Sequence, residues 1–72
     1  MSEKFRLKTA TIALFPEDGR HVARVVPLGA VIDVRSLEGS KLIEVFWDGK
    51  NILMFAADVR ARGEKVEPPT PQ

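Results

Sequence analysis

Four glycines fall at positions 19, 29, 39 and 49, each ten residues from the next. Each sits in a turn-like cluster: Pro16-Glu17-Asp18-Gly19, Pro27-Leu28-Gly29, Leu37-Glu38-Gly39-Ser40 and Trp47-Asp48-Gly49-Lys50. Turn signals at this spacing cut the chain into strand-length pieces, the pattern of an all-β sandwich or barrel, and leave no room for a helical bundle. The pieces are residues 6–15, 21–26, 30–36, 41–47 and 51–55, rich in Val, Ile, Thr and Phe, which suit a pleated, half-buried surface. Five strands are therefore expected. The equal spacing is not matched by similar side-chain patterns, so no internal repeat is read.

Period-two alternation assigns faces within the pieces. Ala30, Ile32 and Val34 alternate with Val31, Asp33 and Arg35, so the first three are expected in the core. In the first piece Ala10, Ile12 and Leu14 are read as the core set. The fourth piece carries bulk on both faces: Ile43, Val45 and Trp47 on one, Leu42 and Phe46 with Glu44 on the other. One of Phe46 and Trp47 must then point away from the interior, and Trp47 is read as the packed one. Asp48-Gly49 is the strongest hairpin signal, because a tight β-turn demands a positive φ that glycine accepts. A two-residue loop there puts Ile52 and Met54 on the Trp47 face, whereas a three-residue loop shifts them to the other. After Phe55, residues 56–66 allow one helical turn near Ala56 to Val59, cut by Gly63, and a last short strand.

Seventy-two residues hold one small core, which is commonly supplemented by a disulfide, a metal or a partner subunit. The chain has no cysteine and only one histidine, His21, so neither a disulfide nor a His/Cys metal centre is expected. Oligomerisation remains as a support. Eleven Lys and Arg against ten Asp and Glu leave a net charge of +1, too balanced to imply a polyanionic partner by itself. No apolar run approaches a membrane span or a signal peptide, and the chain is expected to be cytoplasmic with no membrane partner. Residues 1–8 read as an N-terminal arm and the start of the first strand, 9–66 as the folded unit, and 67–72 as a mobile proline-rich tail.

A long first strand, a wide excursion from Pro16 to Gly29, a three-strand meander and a helical turn before a final strand resemble the small Src-homology-3-like (SH3-like) barrels of bacteria. Residues 26–36 look like the segment that opens the second strand of such barrels, and 43–59 like their distal hairpin plus helical turn. The resemblance, over Thr9 to Val66, implies a five-stranded barrel with one short helical turn before the last strand. Peptide-binding members carry tyrosines in an aromatic groove and an acidic excursion loop. This chain has no tyrosine, and its excursion mixes Glu17 and Asp18 with Arg20, His21 and Arg24. The oligomeric reductases built on such barrels carry a Val-Gln-Ile-Tyr segment, which is absent here.

No motif for nucleotide, zinc-protease or serine-hydrolase chemistry occurs, and His21 has no relay partner in the sequence, so no catalytic residue and no cofactor are expected. Asp33, Glu44 and Asp58 read as solvated strand positions. The leading expectation is a non-enzymatic structural or interaction module that forms a homo-oligomer through Leu42, Phe46, Leu53 and Phe55 on the second sheet face. The alternative is a weak nucleic-acid-binding barrel using Arg20, Arg24, Arg60 and Arg62, and an enzyme of the oligomeric-barrel reductase type comes third.

Overall fold

The computed structural model describes residues 3–35, 37, 39 and 41–66, so the tail expected over 67–72 lies outside the described residues. The fold is all-β with one short helix. In chain order the strands are β1 (Glu3–Leu7), β2 (Thr11–Glu17), β3 (Arg20–Val26), β4 (Val31–Val34), β5 (Leu42–Trp47) and β6 (Lys50–Phe55); helix α1 (Ala56–Arg62) and β7 (Gly63–Val66) follow. All pair antiparallel in one sheet, in the order β3-β2-β6-β5-β4-β1-β7. Among the described residues the sheet is not closed by hydrogen bonds, since β3 and β7 each have one neighbour.

Among the described residues seven strands form where the barrel resemblance implies five, and two local causes account for the difference. The first expected strand, residues 6–15, divides into β1 and β2 at residues 8–10. There the Thr11 hydroxyl donates to the Thr9 carbonyl at 3.0 Å, a local bond that competes with ladder pairing. The Lys8 amide turns to the Arg62 carbonyl at 2.7 Å. The second cause is the dipeptide Asp18-Gly19. The wide excursion read over Pro16 to Gly29 is a tight hairpin, with Glu17 opposite Arg20 and seven consecutive pairs down to Thr11 opposite Val26. Asp18 and Gly19 both take positive φ, 48° and 78°, as do Asp48 and Gly49 at 51° and 74°. Two identical dipeptides thus make two identical two-residue turns.

The Asp48-Gly49 turn sets Trp47 opposite Lys50, Val45 opposite Ile52 and Ile43 opposite Met54. Ile52 and Met54 therefore share the Trp47 face, and with Ile43, Val45, Ile32 and Val34 they are buried. Ala30 packs against this core half-buried. In β2 the expected parity is reversed. Thr11, Ala13 and Phe15 point inward, while Ile12 is exposed, Leu14 half-buried and Ala10 exposed. Phe15 decides the matter: its ring meets Trp47 edge to face, centroids 6.1 Å apart and planes at 83°, and this carries Ala13 and Thr11 inward with it.

Helix α1 runs two turns rather than one. Ala56, Ala57 and Ala61 favour it, and Ala56 and Val59, three apart, bury one face on the core. Gly63 ends it, its amide donating to the Val59 carbonyl as the chain enters β7.

Candidate interaction surface

Direct cross-strand pairs lie on one face of a sheet, so the register maps the outer surface residue by residue. Starting at the β3 edge, Val25 stands opposite Ile12 and Ala23 opposite Leu14. Leu14 stands opposite Leu53, Leu53 opposite Glu44, and Phe55 opposite Leu42. The outcome is an apolar patch across four strands, β3, β2, β6 and β5. Val25 is 60% exposed, Ile12 52%, Phe55 45% and Leu42 38%, with Leu14 and Leu53 half-buried between them.

Three of the four interface residues expected from sequence, Leu42, Leu53 and Phe55, fall in this patch. Phe46 is on the same face and 46% exposed, but Glu44 separates it from Leu42. Its direct neighbours are Asn51 and Asp33. With Asp33, Arg35, Glu44 and Asn51 it lines an open cleft of about 220 Å³. Asp33 there is engaged by Lys4 at 3.3 Å. Trp47 points the other way and is half-buried against Phe15. Ile12, Leu14 and Val25 escaped the sequence reading because the first two were given to the core. The second Asp-Gly dipeptide was the signal that could have found them, since it fixes β2 and β3 as one hairpin.

The hairpin also answers how the outer face could be covered from within the chain. A folded-over excursion would have shielded it. Instead β2 joins β6 edge to edge, and the hairpin extends the apolar face by two strands.

Three of the four arginines expected to contact phosphates have other engagements. Arg60 donates to the Leu37 carbonyl at 2.7 Å and Arg62 to the Ala10 carbonyl at 3.5 Å. Arg24 donates to Glu17 at 2.5 Å, and that hydrogen bond holds the Glu17 carboxyl below its ordinary range and raises Arg24. Arg20 is at the hairpin tip. The seven residues of β2 lie between it and the Ala10 end reached by Arg62, about 23 Å at roughly 3.3 Å per residue. A second open cleft, about 360 Å³, is lined by Phe15, Pro16, Glu17, Arg24 and Lys50.

His21 is exposed on β3 opposite Pro16. Asp33 and Glu44 line one cleft, while Asp58 stands apart in the first turn of α1. Among the described residues no group of three or more His, Cys, Asp or Glu is placed to hold a metal ion, and no helix is long and apolar enough to cross a membrane. Comparison with known protein families, with curated proteins and with solved structures found no match.

Proposed function

We propose that this chain is a non-enzymatic, cytoplasmic interaction module, a small SH3-like barrel that self-associates through its outer apolar face. The observation that carries the reading is Phe55. It occupies the N-cap of α1 with extended backbone (φ −73°, ψ 128°) and makes no capping bond. Ser, Thr, Asp or Asn would stabilise the helix there. A large ring that forgoes that gain and stands 45% exposed beside Leu42 marks a surface kept for contact rather than for local stability.

Two physical arguments support the barrel. Leu7, Val26, Ile32, Met54 and Val59 are fully buried, yet the described chain has one sheet and one seven-residue helix. A flat sheet with so little cover would leave much of its inner face wet, which favours a sheet curled around its own core. The order of elements supports it too: a meander of β4, β5 and β6, the short helix α1 and a last strand returning to the first.

Static light scattering tests the function. At about 100 μM the expected particle is a multiple of the 8.0 kDa chain, and Phe55→Asp lowers its mass. A wild-type monomer at that concentration overturns self-association, and a mass unchanged by Phe55→Asp moves the contact off this face.

A further inference from the structure

The two edges of the sheet are treated differently. At one end β7 has four residues, begins with glycine, and carries Glu64 and Lys65 in ion pairs with Arg6 at 3.7 Å and Glu3 at 3.6 Å. Short, charged strands are how natural sheets discourage pairing with another chain. At the other end β3 has seven residues, no proline or glycine, and seven unbroken pairs to β2 with no bulge.

Its hydrogen-bonding parity follows from the turn. A two-residue Asp18-Gly19 loop makes Glu17 and Arg20 a bonded pair, and bonded and non-bonded pairs then alternate. Val22, Arg24 and Val26 therefore bond to β2, while His21, Ala23 and Val25 aim their N–H and C=O groups at the open edge. Pro16 agrees with this parity. It stands opposite His21 in a non-bonded pair, where β3 asks no N–H of it.

We propose that β3 pairs edge to edge with β3 of a second copy of this chain, antiparallel about a two-fold axis at Ala23. This goes beyond the apolar-face contact and rests on the backbone edge of β3, which shares only Ala23 and Val25 with that face. In that register Ala23 meets Ala23, the smallest residue of the strand, so the backbones approach freely. His21 lies opposite Val25 of the second copy, Val22 opposite Arg24, and Arg20 opposite Val26. Each outward-facing pair exchanges two N–H···O bonds. No like charges stand directly opposite, an arrangement that would disfavour the pair. Arg24 is already neutralised by Glu17 of its own chain. Val25, the most exposed large apolar residue of the described strands, is covered by the His21 ring, and the two outer patches become continuous.

The test isolates the edge from the face. In Phe55→Asp, with the face contact weakened, the expected particle at about 100 μM is twice the 8.0 kDa chain. Adding Ala23→Pro to that variant gives a monomer, because Pro removes an outward N–H that the fold itself does not use. The wild type, with both contacts, exceeds two chains. Amide exchange supplies a readout independent of the proline variant. His21, Ala23 and Val25 are expected to slow by about tenfold between dilute and about 100 μM protein, with Val22 and Arg24 unchanged. A wild-type dimer that becomes monomeric with Phe55→Asp alone overturns the edge contact and leaves the face standing. A wild-type monomer overturns both. Edge amides that ignore concentration overturn the edge contact whatever the mass.

Discussion

Phe55 sits where local energetics favour a hydrogen-bond acceptor, so the substitution that removes its apolar surface should also strengthen the helix. Phe55→Asp places a carboxylate at the N-cap of α1, where such caps contribute about 0.5–2 kcal/mol. Urea unfolding at a concentration too dilute for association is expected to show a gain of about 1 kcal/mol. A net loss would mean that the ring holds the monomer together, and its exposure would need another reason. Glu17 gives a pH dependence. Its folded-state pKa lies below the ordinary 4.5, chiefly through the hydrogen bond from Arg24, with the charges of Arg24 and Lys50 assisting against partial desolvation. A lowered carboxylate pKa contributes stability above the unfolded value, and that contribution fades as pH falls through the folded value. The stability difference between wild type and Glu17→Gln should therefore be full above pH 4.5 and shrink toward zero in stronger acid. A difference that stays constant across that range would show that Glu17 and Arg24 are not paired in solution. The pair is exposed, so the effect is small.

The two glycines that shape a turn and a helix end fail differently when given a side chain. Gly49 has φ of +74° and open space where a Cβ would lie, so Gly49→Ala costs only the left-handed backbone penalty, about 1–2 kcal/mol. Gly63 has an ordinary φ of −100°, but a Cβ there would stand 2.7 Å from the Val59 carbonyl oxygen and 3.5 Å from Phe5. The helix end must shift to admit it, so thermal unfolding should rank Gly63→Ala below Gly49→Ala; the reverse order would mean that α1 yields easily. Turn chemistry is also what made the elements legible. Asp48-Gly49 announced its hairpin, and the alternation of Ile32 and Val34 with Asp33 gave the inner face of β4, because charge and period agreed. In β2 they did not agree. All of Thr11 to Phe15 is uncharged, so alternation alone favoured the larger aliphatics Ile12 and Leu14, and only the seating of Phe15 on Trp47 sets the face.

Strand neighbours were less legible than strands, because a period of two says which side chains share a face and nothing about which strand lies alongside. The candidate surface shows the cost. Leu42, Leu53 and Phe55 were found from a single hairpin, whereas Ile12, Leu14 and Val25 join them only because β2 pairs with β6 across nearly forty residues of chain. A similar long-range pairing governs β1, which lies between β4 and β7 with Lys4 opposite Val66. The first and last described strands thus run antiparallel side by side, and their outer ends, Glu3 and Val66, leave the sheet at the same end. That placement has a mechanical consequence. A load applied between those two ends acts along the β1–β7 hydrogen bonds rather than across them, so the pairs break one after another and β7 peels away while the β4, β5 and β6 meander carries no strain. Held at Glu3 and Val66 under tension, these two strands would part like a zip, pair by pair.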